Sequence, residues 1–388
     1  MRARLLLVQP SLQPPGGGNG VAAWMIESLR ETHEVSVLAW EPPDLAQVDR
    51  YFGTSLQRGG FAVLCAAPDL RRLRRRMPLR LDLLWSHVLL AVARRTASSY
   101  DLLLTANNES DLGGPGIQYV HFPKFFLPRP EPGLRGLRLL SPVLRTYHRA
   151  CAAATGFSRE RMLRNVTLAN SRWTAQKLRA LYGSEPLVLH PPVWARPARR
   201  PWEAREDGFV CVGRISPEKE LEKVADIVAG LRGQGHDVKL HLAGAAADPA
   251  YHLRVLRRAQ AEGGWLRHHA DLTRAQLAEL LESQKYGLHG MREEHFGIGV
   301  AESVLAGCLT FVPNGGGQVE IVGRDPDACY ENVADAVRKI GRALADSSFA
   351  ARLRERQATA CAALGVEAFQ AGLLDLVARS LNGGGQEV

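Results

Sequence analysis

Long apolar runs and closely spaced cysteines are both missing from this 388-residue sequence. Its most apolar stretch, residues 83–93, spans 11 residues, and a membrane-spanning helix needs roughly 20. The apolar run near the N terminus is too short for a signal peptide, so we expect a cytoplasmic protein. The six cysteines lie at least 21 residues apart and form no C-x-x-C pair. This spacing argues against a disulfide scaffold or a zinc ribbon.

Extreme composition is absent as well. Apolar residues make up 46% of the chain and charged residues 23%, which is ordinary for a folded globular protein. The length is about twice that of a typical domain. The sequence therefore predicts two domains, each with a core of its own.

Positive charge is concentrated in one half of the chain. Residues 1–200 carry 28 Lys and Arg against 14 Asp and Glu, whereas residues 201–388 carry 21 against 26. A basic segment precedes an apolar helical pattern at residues 81–93, an order that suits an anionic membrane surface or a nucleic acid. A solvated arginine face is the alternative, and the lack of aromatic residues in this segment disfavours nucleic acid. The arginines concerned are Arg71, Arg72, Arg74, Arg75, Arg76 and Arg80.

Short apolar strand patterns alternate with helical patterns in both halves, which predicts parallel sheets in an α/β fold. Four prolines within residues 191–202 argue against a helix or a central strand there. We expect domains at 1–190 and 205–365, a hinge linker at 191–204, and a helix at 366–381 that completes the second domain or crosses back to the first. The predicted strands are 4–8, 34–40, 61–65, 101–105 and 117–121, then 209–213, 238–244, 285–290 and 309–313.

A glycine-rich turn follows the first predicted strand and opens a helix. Backbone N–H groups at such a helix start favour an anion such as phosphate. The turn departs from the dinucleotide-binding pattern because Val21 replaces the third glycine, although Glu41 stands where a ribose-binding acid would lie. A dinucleotide-dependent dehydrogenase and a simple flexible turn both remain alternatives. The turn comprises Gly16, Gly17, Gly18, Asn19 and Gly20.

The second half begins with Gly213, Arg214 and Lys219 at a predicted strand-to-helix junction. Ser216 as N-cap and Pro217 in the first turn predict where the helix begins. Two cations at the carboxyl end of a strand can converge on a diphosphate. Alternatively, both are surface residues that pair with nearby glutamates at 218, 220 and 222.

Two carboxylates frame the most informative stretch, residues 293–322. We predict a turn at 295–297, a helix to about residue 306, a buried strand at 309–313 and a glycine-rich loop. Glu294 precedes this helix and Glu302 lies within it. Such a pair can bind vicinal hydroxyls or perform acid–base chemistry, while Glu294 could also simply cap the helix.

This stretch resembles the signature of retaining glycosyltransferase family 4, whose members have the GT-B fold of two Rossmann-like domains facing a cleft. The resemblance rests on E-H-F-G-I-G-V-A-E, A-G-C-L-T-F-V and G-G-G-Q-V-E, together with the spacing of Arg214 and Lys219 after Gly213. The phrases I-Q-Y-V-H-F-P, L-H-P-P-V and E-H-F-G-I-G-V are most similar to mannosyltransferases that use GDP-mannose to extend lipid-linked oligosaccharides.

The resemblance implies a role for each matching residue. Arg214 and Lys219 after Gly213 would bind the donor diphosphate, and Glu302 the ribose. Glu294 and the backbone that follows would hold the transferred sugar, with His121 meeting it from the first domain and the glycine-rich turn approaching phosphates or acceptor. The backbone positions are His295, Phe296, Gly297 and Ile298.

The resulting expectation is a retaining hexosyltransferase that needs neither a metal nor a cofactor, with mannose from GDP-mannose as the favoured donor. The alternatives are a UDP-sugar enzyme acting on a small molecule and a non-catalytic nucleotide-sugar-binding protein. The basic first half favours a lipid-linked or phosphate-bearing acceptor and peripheral contact with an anionic membrane. No metal is assigned to Asp325 and Asp327, and His268 with His269 is expected to be local structure.

Overall fold

The computed structural model describes residues 2–77, 81–125, 141–194, 199–261, 263–270 and 272–383. It forms two compact units that divide between Pro192 and Val193, and the chain returns to the first unit at Val366. The division lies within the segment predicted as the linker, of which residues 195–198 are outside the described part. Arg80 also lies outside it.

The first unit contains one parallel sheet, with strand order β3-β2-β1-β4-β5-β6-β7. In chain order these strands are β1 (Arg4–Val8), β2 (Glu34–Ala39), β3 (Phe61–Cys65), β4 (Leu102–Thr105), β5 (Ile117–Val120), β6 (Val166–Ala169) and β7 (Leu187–Val188). The helices between them are α1 (Gly17–Leu29), α2 (Leu45–Phe52), α3 (Pro68–Arg76), α4 (Asp82–Thr96), α5 (Ser141–Thr155), α6 (Arg159–Leu163) and α7 (Arg172–Tyr182).

The second unit repeats this plan with strand order β10-β9-β8-β11-β12-β13. Its strands are β8 (Glu206–Val212), β9 (Lys239–Ala243), β10 (Leu266–His269), β11 (Gln284–Leu288), β12 (Leu309–Pro313) and β13 (Cys329–Tyr330). Its helices are α8 (Leu221–Gly233), α9 (Pro249–Ala261), α10 (Arg274–Ser283), α11 (Ile298–Leu305), α12 (Gln318–Ile321), α13 (Val333–Ala345) and α14 (Ser347–Cys361).

Apolar strand sequences explain why both sheets are buried. Helices cover both faces of a parallel sheet, so its central strands are apolar without alternation. Leu5, Leu6, Leu7 and Val8 of β1 are each at most 2% exposed, and every residue of β12 is buried. All nine predicted strands are present, although β8 begins at Glu206, before its predicted start.

The final helix, α15 (Val366–Asn382), belongs to the first unit. Its residues Phe369, Leu373 and Val377 recur every four positions, which places them on one helical face. All three are buried in the core cluster that also contains Leu5 and Leu7 of β1. The chain therefore completes the core of the first unit with its last helix.

The apolar pattern at residues 81–93 forms most of α4, and its apolar side is part of the core. Leu89, Leu90 and Ala93 are at most 2% exposed, in a cluster with Trp40 and Trp85. The expectation that this run contributes an apolar face for a membrane is therefore wrong, because packing against the sheet already buries it. In the described part of the chain, no helix is long and apolar enough to cross a membrane.

Candidate functional site

The strand order of the second unit identifies where a ligand would bind. The chain moves outward from β8 in one direction through β9 and β10, and in the other through β11, β12 and β13. Loops after β8 and β11 therefore diverge at a topological switch point, where open α/β sheets bind ligands. The residues that follow these two strands are Gly213 to Lys219 and His289 to Glu294.

The segment after β8 differs from its predicted form. Pro217–Lys219 is a 3-10 turn, Glu220 has a left-handed φ of 50°, and α8 begins only at Leu221. Ser216 makes no capping bond, because its hydroxyl donates to Glu218 at 2.7 Å. Ser216 and Pro217 therefore open this 3-10 turn and not the α-helix, which begins after Glu220, and Lys219 lies in the turn.

Arg214 and Lys219 have different surroundings in this segment. The Arg214 side chain is 53% exposed and donates to Glu218 at 3.4 Å, as the surface-residue alternative predicts. Lys219 instead forms an ion pair with Glu294, from the loop after β11, and both side chains are 14% exposed. One cation therefore faces solvent, while the other is part of a cluster that is largely buried.

His289 completes this cluster, and its Nε2 lies 3.2 Å from Glu294 Oε2. Burial alone would raise the pKa of Glu294, but the Lys219 ammonium and His289 hold it well below its usual range. Burial lowers the pKa of His289 despite the nearby Glu294 carboxylate. At neutral pH the cluster therefore consists of an ammonium, a carboxylate and a neutral imidazole.

The glycine-rich loop after β12 holds the backbone around Glu294. The N–H of Gly317 donates to the Glu294 carbonyl at 2.7 Å, and a Cβ at Gly316 would lie 2.5 Å from that same oxygen. The amide of Gln318 donates to the carbonyls of Met291 and Arg292 at 2.9 and 3.1 Å. The loop thus positions Glu294, a role that the sequence motif did not reveal.

Helix α11 begins directly after this loop. Gly297 is its N-cap with a φ of 104°, and Glu294 makes no capping bond, so the capping alternative for Glu294 is not what the structure shows. A Cβ at Gly299 would lie 2.6 Å from the Val212 carbonyl, so glycine lets the start of α11 approach the end of β8. Phe296 is 3% exposed and packs within the core of the second unit.

Glu302 occupies a second position on α11, beside a small cavity. It forms an ion pair with Arg274 at the start of α10, and its side chain is 6% exposed. The cavity measures about 20 Å³ and is lined by Trp194, Arg274, Leu277, Ala278, Leu281, Glu302 and Ala306. Sequence reasoning found Glu302 but missed Arg274, which only the folded chain brings to it.

In the first unit, the structure brings the glycine-rich turn and His121 together. Helix α1 begins at Gly17, and a Cβ at Gly18 would lie 3.0 Å from His121 Nε2. That nitrogen lies 2.9 Å from the Ala106 carbonyl, which can only accept, so Nε2 carries the proton. Asn19 is committed to the loop before the helix, donating to the Gln13 carbonyl at 2.6 Å and accepting from Gln9 at 2.9 Å.

Other candidate residues serve local structure. Glu41, placed where a ribose-binding acid would lie, pairs with Arg71 at 3.1 Å and Arg75 at 2.9 Å. Asp325 pairs with Arg356 at 2.5 Å. The histidines of β10 form pairs with His252 and His241, at 3.1 Å from His268 and 2.9 Å from His269.

Known proteins with similar sequences are named as glycosyltransferases. Residues 195–359 match the family model described as glycosyl transferases group 1. The GDP-Man:Man(3)GlcNAc(2)-PP-Dol alpha-1,2-mannosyltransferase of Neurospora crassa is 27% identical over 185 residues, covering 39% of this chain and 33% of that protein. Its counterpart in Dictyostelium discoideum is 28% identical over 187 residues, covering 42% and 37%. The aligned part of the chain thus spans about a third of the length of these relatives.

Solved structures show the fold. HepE of Anabaena, crystallised with UDP and glucose, has a TM-score of 0.67 at 16% identity and covers 97% of this chain and 100% of its own. WaaG, a glycosyltransferase involved in lipopolysaccharide biosynthesis, has a TM-score of 0.67 at 13% identity and covers 96% and 99%. These likenesses confirm the predicted pair of Rossmann-like domains and the GT-B fold.

Proposed function

Because the chain carries a glycosyl transferases group 1 domain on a GT-B fold, we propose that it transfers a hexose from a nucleotide sugar to an acceptor hydroxyl. The favoured donor is GDP-mannose, since the curated relatives are mannosyltransferases named for GDP-Man. The observation that carries the proposal is the pairing of Lys219 with Glu294 at the β8–β11 switch point. There a cation, a carboxylate and the N terminus of α11 lie at one edge of one sheet.

In this proposal the second unit binds the donor. Arg214 and Lys219 neutralise the diphosphate, and the N–H groups at the start of α11 add the positive end of a helix dipole. The Glu302 carboxylate accepts hydrogen bonds from the ribose hydroxyls. Glu294 and the backbone from Phe296 to Ile298 hold the sugar. Charge that grows on the departing diphosphate is stabilised by groups already in place.

We further propose that transfer proceeds with retention and without a metal or cofactor. Lys219 and His289 already engage the Glu294 carboxylate, which supports a role in holding the sugar rather than in forming a covalent intermediate. The arginine pairs of Asp325 and Asp327 support leaving the Asp-Pro-Asp sequence out of any metal site. A chelator should therefore leave activity unchanged, whereas loss of activity with EDTA and its rescue by manganese would contradict this part of the proposal.

The first unit is proposed to bind the acceptor. His121 and the glycine-rich turn follow β5 and β1, at the same edge of their sheet. The mannosyltransferase relatives are named for an acceptor linked to PP-Dol. Together with the basic first half, this supports a lipid-linked or phosphate-bearing acceptor.

The surface of α3 supports peripheral contact with an anionic membrane. This helix has no buried residue, Leu73 is 52% exposed, and the Arg72 and Arg75 side chains are 74% and 68% exposed. Each arginine near an anionic surface adds roughly 1 kcal/mol of binding. The protein should therefore co-sediment with anionic but not neutral vesicles at low salt, and less so when Arg72, Arg75 and Arg76 are changed to Ser. A wild-type protein that stays in the supernatant with anionic vesicles would refute membrane contact.

A panel of nucleotide sugars tests the donor assignment. Thermal stabilisation and slow donor hydrolysis should both be largest with GDP-mannose among GDP- and UDP-linked hexoses. If stabilisation and hydrolysis are larger with a UDP-sugar, the donor assignment changes from GDP-mannose to that sugar, while the proposed hexosyl transfer stands. Stabilisation without any turnover, with acceptor extracts present, would instead indicate a nucleotide-sugar-binding protein.

A further inference from the structure

A second, larger cavity lies in the first unit, apart from the residues assigned to the donor. It is enclosed by α5, α6 and the C-terminal end of α7, and its volume is about 350 Å³. Pockets that bind small molecules measure roughly 300–1,000 Å³. None of the residues given a role in sugar transfer lines this cavity. Its lining residues are Phe125, Arg145, His148, Arg149, Ala152, Phe157, Arg159, Met162, Leu181 and Tyr182.

The interior of the cavity is apolar. Rings of Phe125 and Phe157 pack against each other with centroids 5.8 Å apart, and Met162 is 1% exposed. His87 stacks flat on Phe157 at 4.4 Å. Burial, aided by Lys124, lowers the pKa of His87 to about 4, so this imidazole brings no charge to the cavity wall at neutral pH. These surroundings suit a hydrocarbon chain.

Glu109, the carboxylate that contacts the lining residue Tyr182, already has hydrogen-bonding partners. Glu109 is fully buried and accepts from the Tyr182 hydroxyl at 2.9 Å and from the Lys124 N–H at 2.8 Å. Arg159 lies over the Tyr182 ring at 5.0 Å and donates to the Leu181 carbonyl at 3.2 Å. Among the described residues that line the cavity, none is acidic.

Positive charge is concentrated along the α5 side of the cavity. Arg145 and Arg149 stand four positions apart on α5 and are therefore neighbours on one helical face. Both are exposed, and in the described ranges neither has a carboxylate partner. A guanidinium binds phosphate or carboxylate through paired hydrogen bonds. The cavity thus joins an apolar interior to guanidinium groups that have no carboxylate partner among the described residues.

From this arrangement we propose that the cavity binds an amphiphile with one hydrocarbon chain and an anionic head. The hydrocarbon chain occupies the cavity beside the aromatic rings, and the head meets Arg145 and Arg149. None of the residues that line the cavity is assigned to the donor, so this proposal can be tested independently of the proposed sugar transfer.

Calorimetry with decyl phosphate, below its micellar concentration and at low salt, tests the proposal. Wild-type protein should bind decyl phosphate saturably and at least tenfold more tightly than decanol or inorganic phosphate. Inorganic phosphate that binds as tightly as decyl phosphate would reduce the site to surface charge and overturn the proposal. An absence of saturable binding of decyl phosphate would overturn it too.

Two pairs of variants locate the ligand. Ala152→Trp fills the cavity and should weaken binding at least tenfold, whereas Ala153→Trp, an exposed neighbour on the same helix, should not. Replacing Arg145 and Arg149 by Ser should weaken the binding of decyl phosphate at least tenfold without affecting the binding of decanol. The control is Arg95→Ser, at an exposed position on α4.

Wild-type affinity in Ala152→Trp would place the ligand elsewhere and refute the proposal. Leu181→Trp replaces Ala152→Trp if that variant does not fold. GDP-mannose binding is measured on the same samples. Intact donor binding in a variant that has lost decyl phosphate would show that the cavity is distinct from the donor site.

Discussion

The two units share a parallel-strand plan, yet the loops at their switch points are built from different chemistry. In the second unit, three ionisable side chains from two loops form a buried cluster, in which Lys219 and His289 flank Glu294. In the first unit, glycines and His121 meet at the corresponding edge, and His121 bonds to a main-chain carbonyl. The strand order fixes where loops meet, while the side chains in those loops decide which ligand they suit.

This difference explains the division of labour that we propose. A nucleoside diphosphate carries concentrated negative charge, and fixed charges in a dry site stabilise it more than mobile surface charges do. An acceptor hydroxyl needs room and a polar contact instead. Glycine at position 18 lets the His121 ring lie against the start of α1, because a side chain there would meet that ring.

The largest expected effect comes from removing the cation of the buried cluster. Lys219→Met leaves the Glu294 carboxylate without its ammonium partner, and breaking a buried ion pair costs about 3–5 kcal/mol. The free energy of unfolding of the second unit, measured with denaturant, should fall by about that amount. In the double variant Lys219→Met/Glu294→Gln, most of the lost free energy of unfolding should be recovered. If the single and double variants are equally unstable, the two side chains do not act as a pair.

The pH dependence of the same variant has a definite sign. The pKa of Glu294 is depressed in the folded wild type, so its contribution to stability is complete above about pH 4.3, the usual pKa of Glu, and is lost only below that. Without Lys219, burial raises the proton affinity of the Glu294–His289 pair in the folded state. The difference in melting temperature between wild type and Lys219→Met should therefore shrink as the pH falls from 8 to 5.5. A difference that grows would contradict the assigned charges.

A smaller loss is expected at the ribose position. Glu302→Ala removes a charge-assisted hydrogen bond worth about 1.5–3 kcal/mol, so donor affinity should fall roughly tenfold to a hundredfold. Calorimetry with GDP-mannose measures this, with Glu279→Ala on the exposed side of α10 as the control. Unchanged affinity in a folded Glu302→Ala variant would remove Glu302 from the donor site.

The smallest effect tests the first unit. Gly18→Ala places a Cβ 3.0 Å from His121 Nε2, so the ring must shift by a few tenths of an ångström. Turnover should fall several-fold while donor affinity stays the same. Gly114→Ala, where a Cβ meets nothing within 4 Å, is the matched control in the same unit. A loss of donor affinity with unchanged turnover would show that His121 does not act in transfer.

Much of the fold could be predicted from the sequence because strands such as β1, β4 and β12 are short runs dominated by apolar residues. Runs such as Leu5 to Val8 are buried on both faces, and this pattern needs no knowledge of distant residues. Four strands were not among those predicted. Strands β7 and β13 are only two residues long, and the four-residue strands β6 and β10 are interrupted by polar residues. The start of α8 was misplaced because Ser216 bonds to a side chain instead of capping the helix.

The site was predictable only in part. Glu294, Glu302 and Lys219 lie in recognisable motifs, but no motif shows which charges meet. Lys219 was expected to face either a diphosphate or its neighbouring glutamates, and it pairs instead with a residue 75 positions away. Arg274 and His289 gave no signal in the sequence, because their roles arise from contacts that only the folded sheet creates.

Turnover in variants of the two cations tests the central claim, that the β8–β11 edge binds and activates the donor diphosphate. Donor hydrolysis and GDP-mannose affinity are measured for Arg214→Ala, Lys219→Ala and the control Lys223→Ala, whose side chain is 59% exposed on α8. We expect both site variants to lose more in turnover than in affinity, because charge grows on the leaving group in the transition state, while the control matches wild type. Wild-type turnover in folded Arg214→Ala and Lys219→Ala proteins would contradict it.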